Sequence, residues 1–264
     1  MARTVVLTGA SSGIGRELAL ALARPDCAML LMGRDAGRLA ATAETAAAKG
    51  ATVETAGVDV ADADAMAACL TAFDDTAPVD LVIANAGRSA GSVPGESRRG
   101  DPPGALADLV ATNLVGAGNT VLPLLPRMMT RGRGRLVFVG SLAAVRALPD
   151  MAAYSASKAG LAAWATALRG QLSGTGVGVS LVQPGFVTSP MSARHLGIKP
   201  LEMSAERAAR RIVAAIEAGR AVDTFPRGLA ILSWLCARLP PGLSDRAIAP
   251  FATRIRQEDT VEQD

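Results

Sequence analysis

The sequence predicts an α/β protein built on a doubly wound, parallel sheet. Three observations support this prediction. Apolar, strand-like runs alternate with amphipathic helical stretches, a glycine-rich turn follows the first run, and 264 residues suffice for one large core. Because a helix follows each strand, the strands return in parallel through right-handed crossovers. Ligands of such sheets bind beyond the carboxyl ends of the strands.

The first half of the chain contains four predicted strands. We place them at residues 3–8, 27–32, 51–56 and 79–84, with helices after the first strand, at 35–49 and at about 62–75. Asp35 is the expected N-cap of the second helix, with Arg38 one turn further on.

The second half resumes the same pattern after a polar segment rich in glycine and proline, residues 88–103. We interpret that segment as a mobile loop over the site, because the alternation continues beyond it. The further predicted elements are a helix at about 104–129, a strand at 135–140, a helix at about 151–173, a strand at 177–183, a substrate lid to about 203, a helix at about 204–219 and a strand at about 221–225.

The composition argues against several classes of protein. The net charge is +3 without a clustered basic stripe, which does not favour a nucleic-acid partner. Cys27, Cys69 and Cys236 lie far apart and lack C-x-x-C spacing, so we expect reduced thiols in a cytoplasmic protein. We expect no signal peptide and no membrane-spanning helix, since no apolar run reaches roughly 20 residues. The single histidine, His195, provides no metal cluster, and we interpret it as a loop residue.

The turn after the first strand reads T-G-A-S-S-G-I-G over Thr8–Gly15. A strand, a glycine turn and a helix in this order are typical of a site where backbone N–H groups approach a pyrophosphate at a helix N-terminus. A plain turn is the alternative, because the spacing differs from the commoner G-x-G-x-x-G. The candidate phosphate-binding residues are Gly9, Ser11, Ser12, Gly13, Ile14 and Gly15.

The ends of the next strands indicate which nucleotide this turn would bind. Gly33 offers no carboxylate for a ribose 2′-hydroxyl, whereas the guanidinium of Arg34 suits a 2′-phosphate. This favours NADP(H), with NAD(H) as the alternative if Asp35 accepted the ribose hydroxyl. Further candidate nucleotide contacts follow the third and fourth strands at Asp59, Val60, Asn85, Ala86 and Gly87.

The stretch Tyr154–Lys158 (Y-S-A-S-K) carries the main catalytic signal. The only tyrosine and a lysine stand four residues apart, so a helix places both side chains on one face. A phenol has a pKa of about 10 in water, and a neighbouring ammonium lowers this pKa and makes the phenol a usable acid or base. An interfacial tyrosine beside a surface lysine is the alternative interpretation.

Other candidate residues lie in a helix or at strand ends. Asn113 is inside a predicted helix, where asparagine is mildly unfavourable unless it has another task; a surface or core amide is the alternative. Ser141, at the end of the fifth strand, is placed to donate a hydrogen bond to a substrate carbonyl. The sixth strand ends where a nicotinamide would lie, at Pro184, Gly185, Val187 and Thr188.

Taken together and in this order, the motifs resemble those of the short-chain dehydrogenase/reductase family. The resemblance covers roughly residues 3–220 and rests on T-G-x-x-x-G-x-G, N-A-G at Asn85–Gly87, Asn113, Ser141, Y-x-x-x-K and the Pro184-Gly185 pair. It implies a Rossmann-type dinucleotide-binding and catalytic domain over residues 1–225, with a seven-stranded sheet in the order 3-2-1-4-5-6-7.

The resemblance also implies roles for the site residues. Tyr154 would be the acid/base, and Ser141 would polarise the carbonyl or alcohol. Lys158 would bind the nicotinamide ribose and lower the tyrosine pKa, and Asn113 would hold a water in a proton relay to Lys158. Many NADP-dependent members have a basic residue where this chain has Ser12, which leaves Arg34, with Arg38, as the main 2′-phosphate contact. The family also implies a homodimer or homotetramer, commonly through the helices at 104–129 and 151–173.

Residues 226–264 are expected to form an apolar, helical extension of the same domain. Gly228–Leu239 is strongly apolar, Pro240 and Pro241 interrupt it, and residues 243–256 are amphipathic, with Arg246, Arg254 and Arg256. Residues 257–264 are expected to be disordered. The apolar helix has three interpretations: packing on the domain or a subunit interface, a cover for an apolar substrate, or a peripheral membrane contact through 228–256.

The sequence therefore predicts an NADP(H)-dependent oxidoreductase that interconverts a secondary alcohol and a ketone or aldehyde, with a hydrophobic small-molecule substrate preferred. An epimerase or dehydratase that uses transient oxidation is one alternative, disfavoured by the lack of a large sugar-binding region. A non-catalytic NADP-binding regulatory protein is another. The complete set of Asn113, Ser141, Tyr154 and Lys158 disfavours it.

Overall fold

Seven parallel strands form one sheet in the order β3-β2-β1-β4-β5-β6-β7. The computed structural model describes residues 3–91, 100–251 and 255. The predicted fold class and strand order are confirmed, and each strand begins and ends within two residues of its expected bounds. The strands are β1 (Thr4–Thr8), β2 (Ala28–Met32), β3 (Thr52–Ala56), β4 (Leu81–Ala84), β5 (Gly134–Val139), β6 (Val177–Pro184) and β7 (Val222–Phe225).

Helices connect the strands and cover both faces of the sheet. In chain order they are α1 (Gly13–Leu22), α2 (Ala36–Ala47), α3 (Ala63–Thr76), α4 (Ala105–Val110), α5 (Gly116–Val121), α6 (Leu125–Arg131), α7 (Ala152–Gln171), α8 (Pro190–Ala193), α9 (Ala205–Glu217), α10 (Arg227–Cys236) and α11 (Pro241–Ile248). Short 3₁₀ turns lie at Leu142–Ala144, Pro149–Met151 and Ala249–Phe251.

The strand residues alternate between two apolar cores, one on each face of the sheet. Val6 of β1 and Phe138 of β5 belong to the core that α3 and α7 cover. Their neighbours Leu7 and Val137 belong to the opposite core, which α1 and α9 cover. Burial on both faces explains why β1, β2, β4 and β5 are mainly apolar runs, whereas the edge strands β3 and β7 are partly exposed and more polar. Because the strands are parallel, the polar and glycine residues that follow them lie at the same edge of the sheet.

The chain between β4 and β5 departs from the single helix expected at 104–129. A π-helical turn, Ala111–Val115, separates α4 from α5, and such turns are frequent at functional sites. The stretch Ala105–Arg131 contains an 18-residue window with a mean hydropathy of 1.3, and it is long and apolar enough to cross a membrane by length and composition alone. In the fold it covers the sheet, and Val121 and Met128 are fully buried in the core.

The extension after β7 forms two helices that the prolines separate as expected. Pro240 precedes α11 and Pro241 begins it, at a position where a missing N–H costs little. The amphipathic segment expected at 243–256 is shorter in the structure, because α11 ends at Ile248 and a 3₁₀ turn follows. Arg254, Arg256, the disorder expected at 257–264 and residues 92–99 of the expected loop lie outside the described residues.

A buried carboxylate connects α3 with α6 and with the start of β4. Asp74 accepts hydrogen bonds from the Arg131 guanidinium at 2.8 and 3.0 Å and from the Val79 N–H at 2.7 Å. Burial raises the pKa of Asp74, but the hydrogen bonds from Arg131 and Val79 outweigh it, so the pKa lies below its ordinary value. The folded protein therefore holds this carboxylate in its charged form.

We expect Asp74→Asn to lower the free energy of unfolding by about 3 kcal/mol at neutral pH, because it leaves the Arg131 guanidinium without its carboxylate. Urea unfolding followed by circular dichroism measures this loss. Asp75→Asn is the matched control: Asp75 pairs with Arg127 at 2.5 Å but is 62% exposed, and exposed ion pairs contribute little. Equal losses in the two variants would contradict the role given to Asp74.

Candidate active site

A cavity of about 880 Å³ opens at the carboxyl ends of the strands. Its walls include the residues that follow strands β1 to β6, and one face of α7. Ligands bind at this edge in doubly wound sheets. Every site residue predicted from the sequence lines the cavity except Asn113 and Thr188.

The glycine turn, Thr8–Gly15, has no room for side chains at its glycines. A Cβ atom on Gly15 would lie 2.0 Å from the carbonyl oxygen of Gly9, and Gly9 itself has a φ of +70°. Ser12 is the N-cap of α1 but makes no capping hydrogen bond through its side chain. The backbone at the start of α1 therefore meets the cavity directly, and this arrangement fits a pyrophosphate.

Asn85 holds the glycine turn in place. Its side-chain amide donates to the carbonyl oxygens of Thr8 and Gly9 at 3.0 and 3.3 Å. In return, the Thr8 hydroxyl accepts from the N–H groups of Asn85 and Ala86, each at 3.2 Å. Asn85 and Ala86 line the cavity as predicted, but the amide of Asn85 is committed to the turn. Its role at the cofactor is thus one of positioning.

At the end of β2, Arg34 is exposed and lines the cavity. Asp35 caps α2 as expected: its carboxylate accepts from the Arg38 N–H at 2.8 Å and pairs with the Arg38 guanidinium at 2.8 Å. The hydrogen bond from that N–H is the main reason that the pKa of Asp35 is lowered. Asp35 is therefore already engaged by its own helix, whereas the Arg34 guanidinium faces the cavity without such a partner among the described residues.

After β3, Asp59 and Val60 lie at the cavity as predicted. One carboxylate oxygen of Asp59 accepts from the Ala61 N–H at 2.9 Å, and the side chain is exposed. Val60 is buried, and its carbonyl oxygen accepts from the Asn119 amide at 2.9 Å. The loop is thereby fixed against α5, with the second oxygen of Asp59 on the open side.

Tyr154 and Lys158 lie one turn apart on α7, in the cavity wall. Lys158 is buried, and its Nζ donates to the Val139 carbonyl oxygen at 2.9 Å, at the end of β5. The same Nζ is 6.0 Å from the centre of the Tyr154 ring. Tyr154 shares a hydrogen bond with Ser141, which follows β5 by two residues. The structure thus brings together three of the four predicted catalytic residues.

The pKa of Tyr154 is raised, not lowered as the sequence predicts. Burial penalises the phenolate, and the hydrogen bond with Ser141 offsets this only in part. Burial also lowers the pKa of Lys158 to about 8. The ammonium is directed at the Val139 carbonyl, so it does not reverse the effect of burial on the phenol. At neutral pH the Tyr154 hydroxyl is therefore protonated.

Asn113 lies behind these residues rather than in the cavity wall. Its carboxamide accepts from the Arg88 N–H at 2.8 Å and donates to the Arg88 carbonyl at 3.0 Å and the Ser157 hydroxyl at 2.9 Å. A Cβ on Gly87 would lie 3.1 Å from the Asn113 Oδ1 and 3.4 Å from the Lys158 Nζ. Asn113 therefore fixes α7 against the chain after β4, and its expected part in a water relay stays a prediction.

The segment after β6 forms the remaining wall. Pro184, Gly185 and Val187 line the cavity as predicted. Thr188 does not: its side chain is exposed, and its N–H donates to the Met203 carbonyl at 2.9 Å. The predicted lid contains α8 and returns to Val187 through a parallel bridge between Val187 and Met203.

Several charged or polar residues of the cavity were missed from the sequence, Arg146 and His195 among them. Arg146 lines it and donates to the Ser244 hydroxyl at 2.8 Å and to the Asp245 carboxylate at 2.7 Å, which joins the 142–148 segment to α11. An isolated arginine in the apolar stretch L-A-A-V-R-A-L-P was the available signal. His195 also lines the cavity, where burial lowers its pKa to about 4 and keeps it neutral.

The extension after β7 closes one end of the cavity. Residues from α10, α11 and the following turn line it, namely Leu229, Leu232, Ser233, Cys236, Ala247, Ile248 and Phe251. Both packing on the domain and a cover for the substrate were expected interpretations of this extension. The structure shows that these helices pack at the cavity, and their role as a cover for the substrate stays a prediction.

A model of the short chain dehydrogenase family matches residues 3–196. The chain belongs to this family. An uncharacterised oxidoreductase of Myxococcus xanthus is 41% identical over 250 residues, 93% of this chain and 96% of that protein. The ketoacyl reductase HetN of a Nostoc species is 36% identical over 187 residues, 70% of this chain and 64% of the relative. A very-long-chain 3-oxoacyl-CoA reductase of Aspergillus fumigatus is 36% identical over 189 residues, 71% of this chain and 54% of the relative.

Solved structures of other family members have the same fold. A short-chain dehydrogenase from Sphingobium yanoikuyae in complex with NADPH is 25% identical, with 99% of each chain covered and a TM-score of 0.76. A metagenomic short-chain oxidoreductase in complex with NADP is 30% identical, with 83% of this chain and 91% of that chain covered and a TM-score of 0.68. This short-chain dehydrogenase is thus an oxidoreductase of CH–OH or C=O groups, and a nicotinamide dinucleotide fits its glycine turn.

We expect Gly15→Ala to raise the Kd of the nicotinamide cofactor at least about tenfold, because its Cβ would force the glycine turn away from the Gly9 carbonyl. Titration calorimetry with NADPH and NADH measures this change. Gly57→Ala is the control, since Gly57 follows β3 at the same edge and a Cβ there would meet nothing within 4 Å. An unchanged Kd in a folded Gly15→Ala protein would contradict the site.

Proposed function

We propose that this protein uses NADP(H) to interconvert an apolar ketone or aldehyde and the corresponding alcohol, which is a secondary alcohol when the carbonyl compound is a ketone. The observation that supports this proposal is the pairing of a protonated Tyr154 with Ser141 in the cavity that also contains the glycine turn. Two hydroxyls at one wall provide the polar contacts that a carbonyl oxygen needs, and the glycine turn provides the place for a dinucleotide.

In the direction of reduction, the Ser141 hydroxyl donates a hydrogen bond to the carbonyl oxygen, and the Tyr154 hydroxyl gives that oxygen its proton. Lys158 stabilises the negative charge that this transfer leaves on the phenol, because its ammonium is the nearest buried cation, 6.0 Å from the ring centre. The nicotinamide cofactor, when bound, supplies the hydride for reduction and accepts it in the reverse direction. Asn113 keeps α7, and with it Tyr154, in position.

The raised pKa of Tyr154 keeps the phenol in the form that donates a proton during reduction. A protonated phenol is ready to donate, whereas oxidation of an alcohol must begin with a phenolate that burial disfavours. The names of the ketoacyl and 3-oxoacyl-CoA reductase relatives agree with a ketone as substrate.

The substrate end of the cavity supports an apolar substrate. Leu142 and Met151 line it, and α10 and α11 contribute Leu229, Leu232 and Ile248. Apolar walls with few polar groups select for hydrophobic surface and leave orientation to those few groups. Ser141 and Tyr154 would then fix the carbonyl, while the remainder of the substrate is held by its apolar area.

The preference for NADP(H) rests on Arg34. Its guanidinium is exposed at the cavity, where a 2′-phosphate would add charge-assisted hydrogen bonds. Asp35, the rival acceptor for a ribose hydroxyl, is engaged by the Arg38 N–H and guanidinium. Among the described residues, the Arg34 guanidinium therefore has no such partner, whereas the Asp35 carboxylate is already engaged.

We also propose a homodimer or homotetramer in the cytoplasm. The face formed by α4, the π-helical turn and the chain leading to α6 exposes Leu106, Val115, Leu122 and Met129. Exposed apolar side chains can mark contacts with another protein surface when they form a patch. Helices α4–α6 occupy the place of the helix expected at 104–129, one of the two expected at the interface.

We expect Tyr154→Phe to lower kcat by about a thousandfold and to change the Kd of NADPH by less than about twofold, because only the proton donor is removed. NADPH oxidation over aliphatic, aromatic, steroid-like and sugar-derived ketones measures kcat. Ser155→Ala is the control for disturbance of α7, since the Ser155 hydroxyl accepts from the Leu148 N–H instead. Substantial activity in Tyr154→Phe would overturn the proposal.

We expect Arg34→Ala to lower the ratio of kcat/KM for NADPH to that for NADH by about a hundredfold, because a charged hydrogen-bonding partner of the 2′-phosphate is lost. In Arg38→Ala the ratio should change much less, since the Arg38 guanidinium is already paired with Asp35. A wild-type preference for NADH, or an equal effect of both substitutions, would contradict the role of Arg34.

A further inference from the structure

Helix α10 is apolar on its outer side as well as on the side that lines the cavity. Ile231, Trp234 and Leu235 are 61%, 49% and 51% exposed, and their spacing places them on one ridge. The outer side of a helix in a globular protein ordinarily carries polar residues. We define the outer patch as this ridge together with the exposed Leu239 and Leu243.

The outer patch borders the mouth of the cavity. Leu232 is both 45% exposed and part of the cavity lining, so it lies where the two surfaces meet. On the lid, Leu196 and Leu201 are also exposed, and their neighbours His195 and Pro200 line the cavity. The cavity therefore opens between two segments whose outward surfaces are apolar.

The charge around the outer patch is positive. Residues 226–251 contain three arginines, Arg227, Arg238 and Arg246, all exposed, and one carboxylate, Asp245, which pairs with Arg146 at 2.7 Å. The guanidinium of Arg238 lies 3.6 Å from the centre of the Trp234 ring. Tryptophan and arginine side chains with apolar stems are suited to the boundary between lipid tails and headgroups.

We propose that the outer patch docks on the surface of a bilayer that contains anionic lipids, so that the cavity mouth faces the lipid and apolar substrates enter from it. The helix is too short to span a bilayer, at 10 residues, and would lie in the interface with its ridge among the acyl chains. The arginines would meet the headgroup phosphates, and each such contact strengthens binding to anionic membranes.

The charge distribution favours a membrane over a second copy of the chain. A two-fold contact through the outer patch would place the patch against itself and gather the arginines of both copies in one interface. Asp245, the one carboxylate among the described residues 226–251, is paired with Arg146. An anionic bilayer supplies both apolar volume and negative charge to this surface.

Co-sedimentation of the full chain with vesicles tests the proposal, using phosphatidylcholine alone and an equal mixture of phosphatidylcholine and phosphatidylglycerol. We expect binding to the mixed vesicles, weakened more than about tenfold by Trp234→Glu and about fivefold by Arg238→Gln. Val222→Glu is the matched control, because Val222 is 45% exposed but belongs to β7, outside the patch. It should bind like the wild type.

Circular dichroism and melting curves establish whether each variant is folded. If Trp234→Glu is unfolded, Arg238→Gln, at an exposed position, still tests the proposal. The proposal would be overturned if the wild-type protein bound neither kind of vesicle. It would also be overturned if Trp234→Glu changed the protein from dimer to monomer in sedimentation velocity without changing its vesicle binding. Because binding is measured without turnover, this result is independent of the proposed reaction.

Discussion

The hydrogen bond from the Lys158 Nζ to the Val139 carbonyl is the contact on which the active site depends. It joins α7 to the end of β5, and Ser141 follows that strand by two residues. Because the ammonium is buried, this contact is needed to compensate its desolvation. The same contact brings Tyr154, one helical turn earlier, to Ser141. The hydrogen bond that compensates the buried Lys158 ammonium therefore also sets the position of Tyr154 relative to Ser141.

The two ends of the cavity are built on different physical principles. The cofactor end consists of backbone and glycine, where the absence of Cβ atoms at Gly9 and Gly15 leaves N–H groups and space for phosphates. The substrate end consists of apolar side chains, many from α10 and α11, which the Arg146 contacts with Ser244 and Asp245 hold over the cavity. In the proposed function, the sheet edge therefore recognises the cofactor, and the extension recognises the substrate.

The differences between expectation and structure have a common cause. Spacing along α7 placed Tyr154 beside Lys158, but the direction of the tyrosine pKa depends on how much water each group loses, which spacing does not contain. Likewise, an asparagine in a helical stretch did not reveal the π-helical turn around Asn113, because partners 25 and 44 residues away hold that amide. Arg146 was overlooked because its partners are almost 100 residues later in the chain.

The resemblance of the sequence motifs to a known family implied the strand order. The sequence by itself determined the positions of the strands, the glycine turn, the cap at Asp35 and most of the residues at the cofactor end of the cavity. Each of these depends on local periodicity, on backbone freedom at glycine or on motifs within a few residues. The tertiary structure alone decided the protonation of Tyr154, the positioning roles of Asn85 and Asn113, and the enclosure of the cavity by α10 and α11. Burial and long-range hydrogen bonding control these properties, and both exist only once distant segments have packed together.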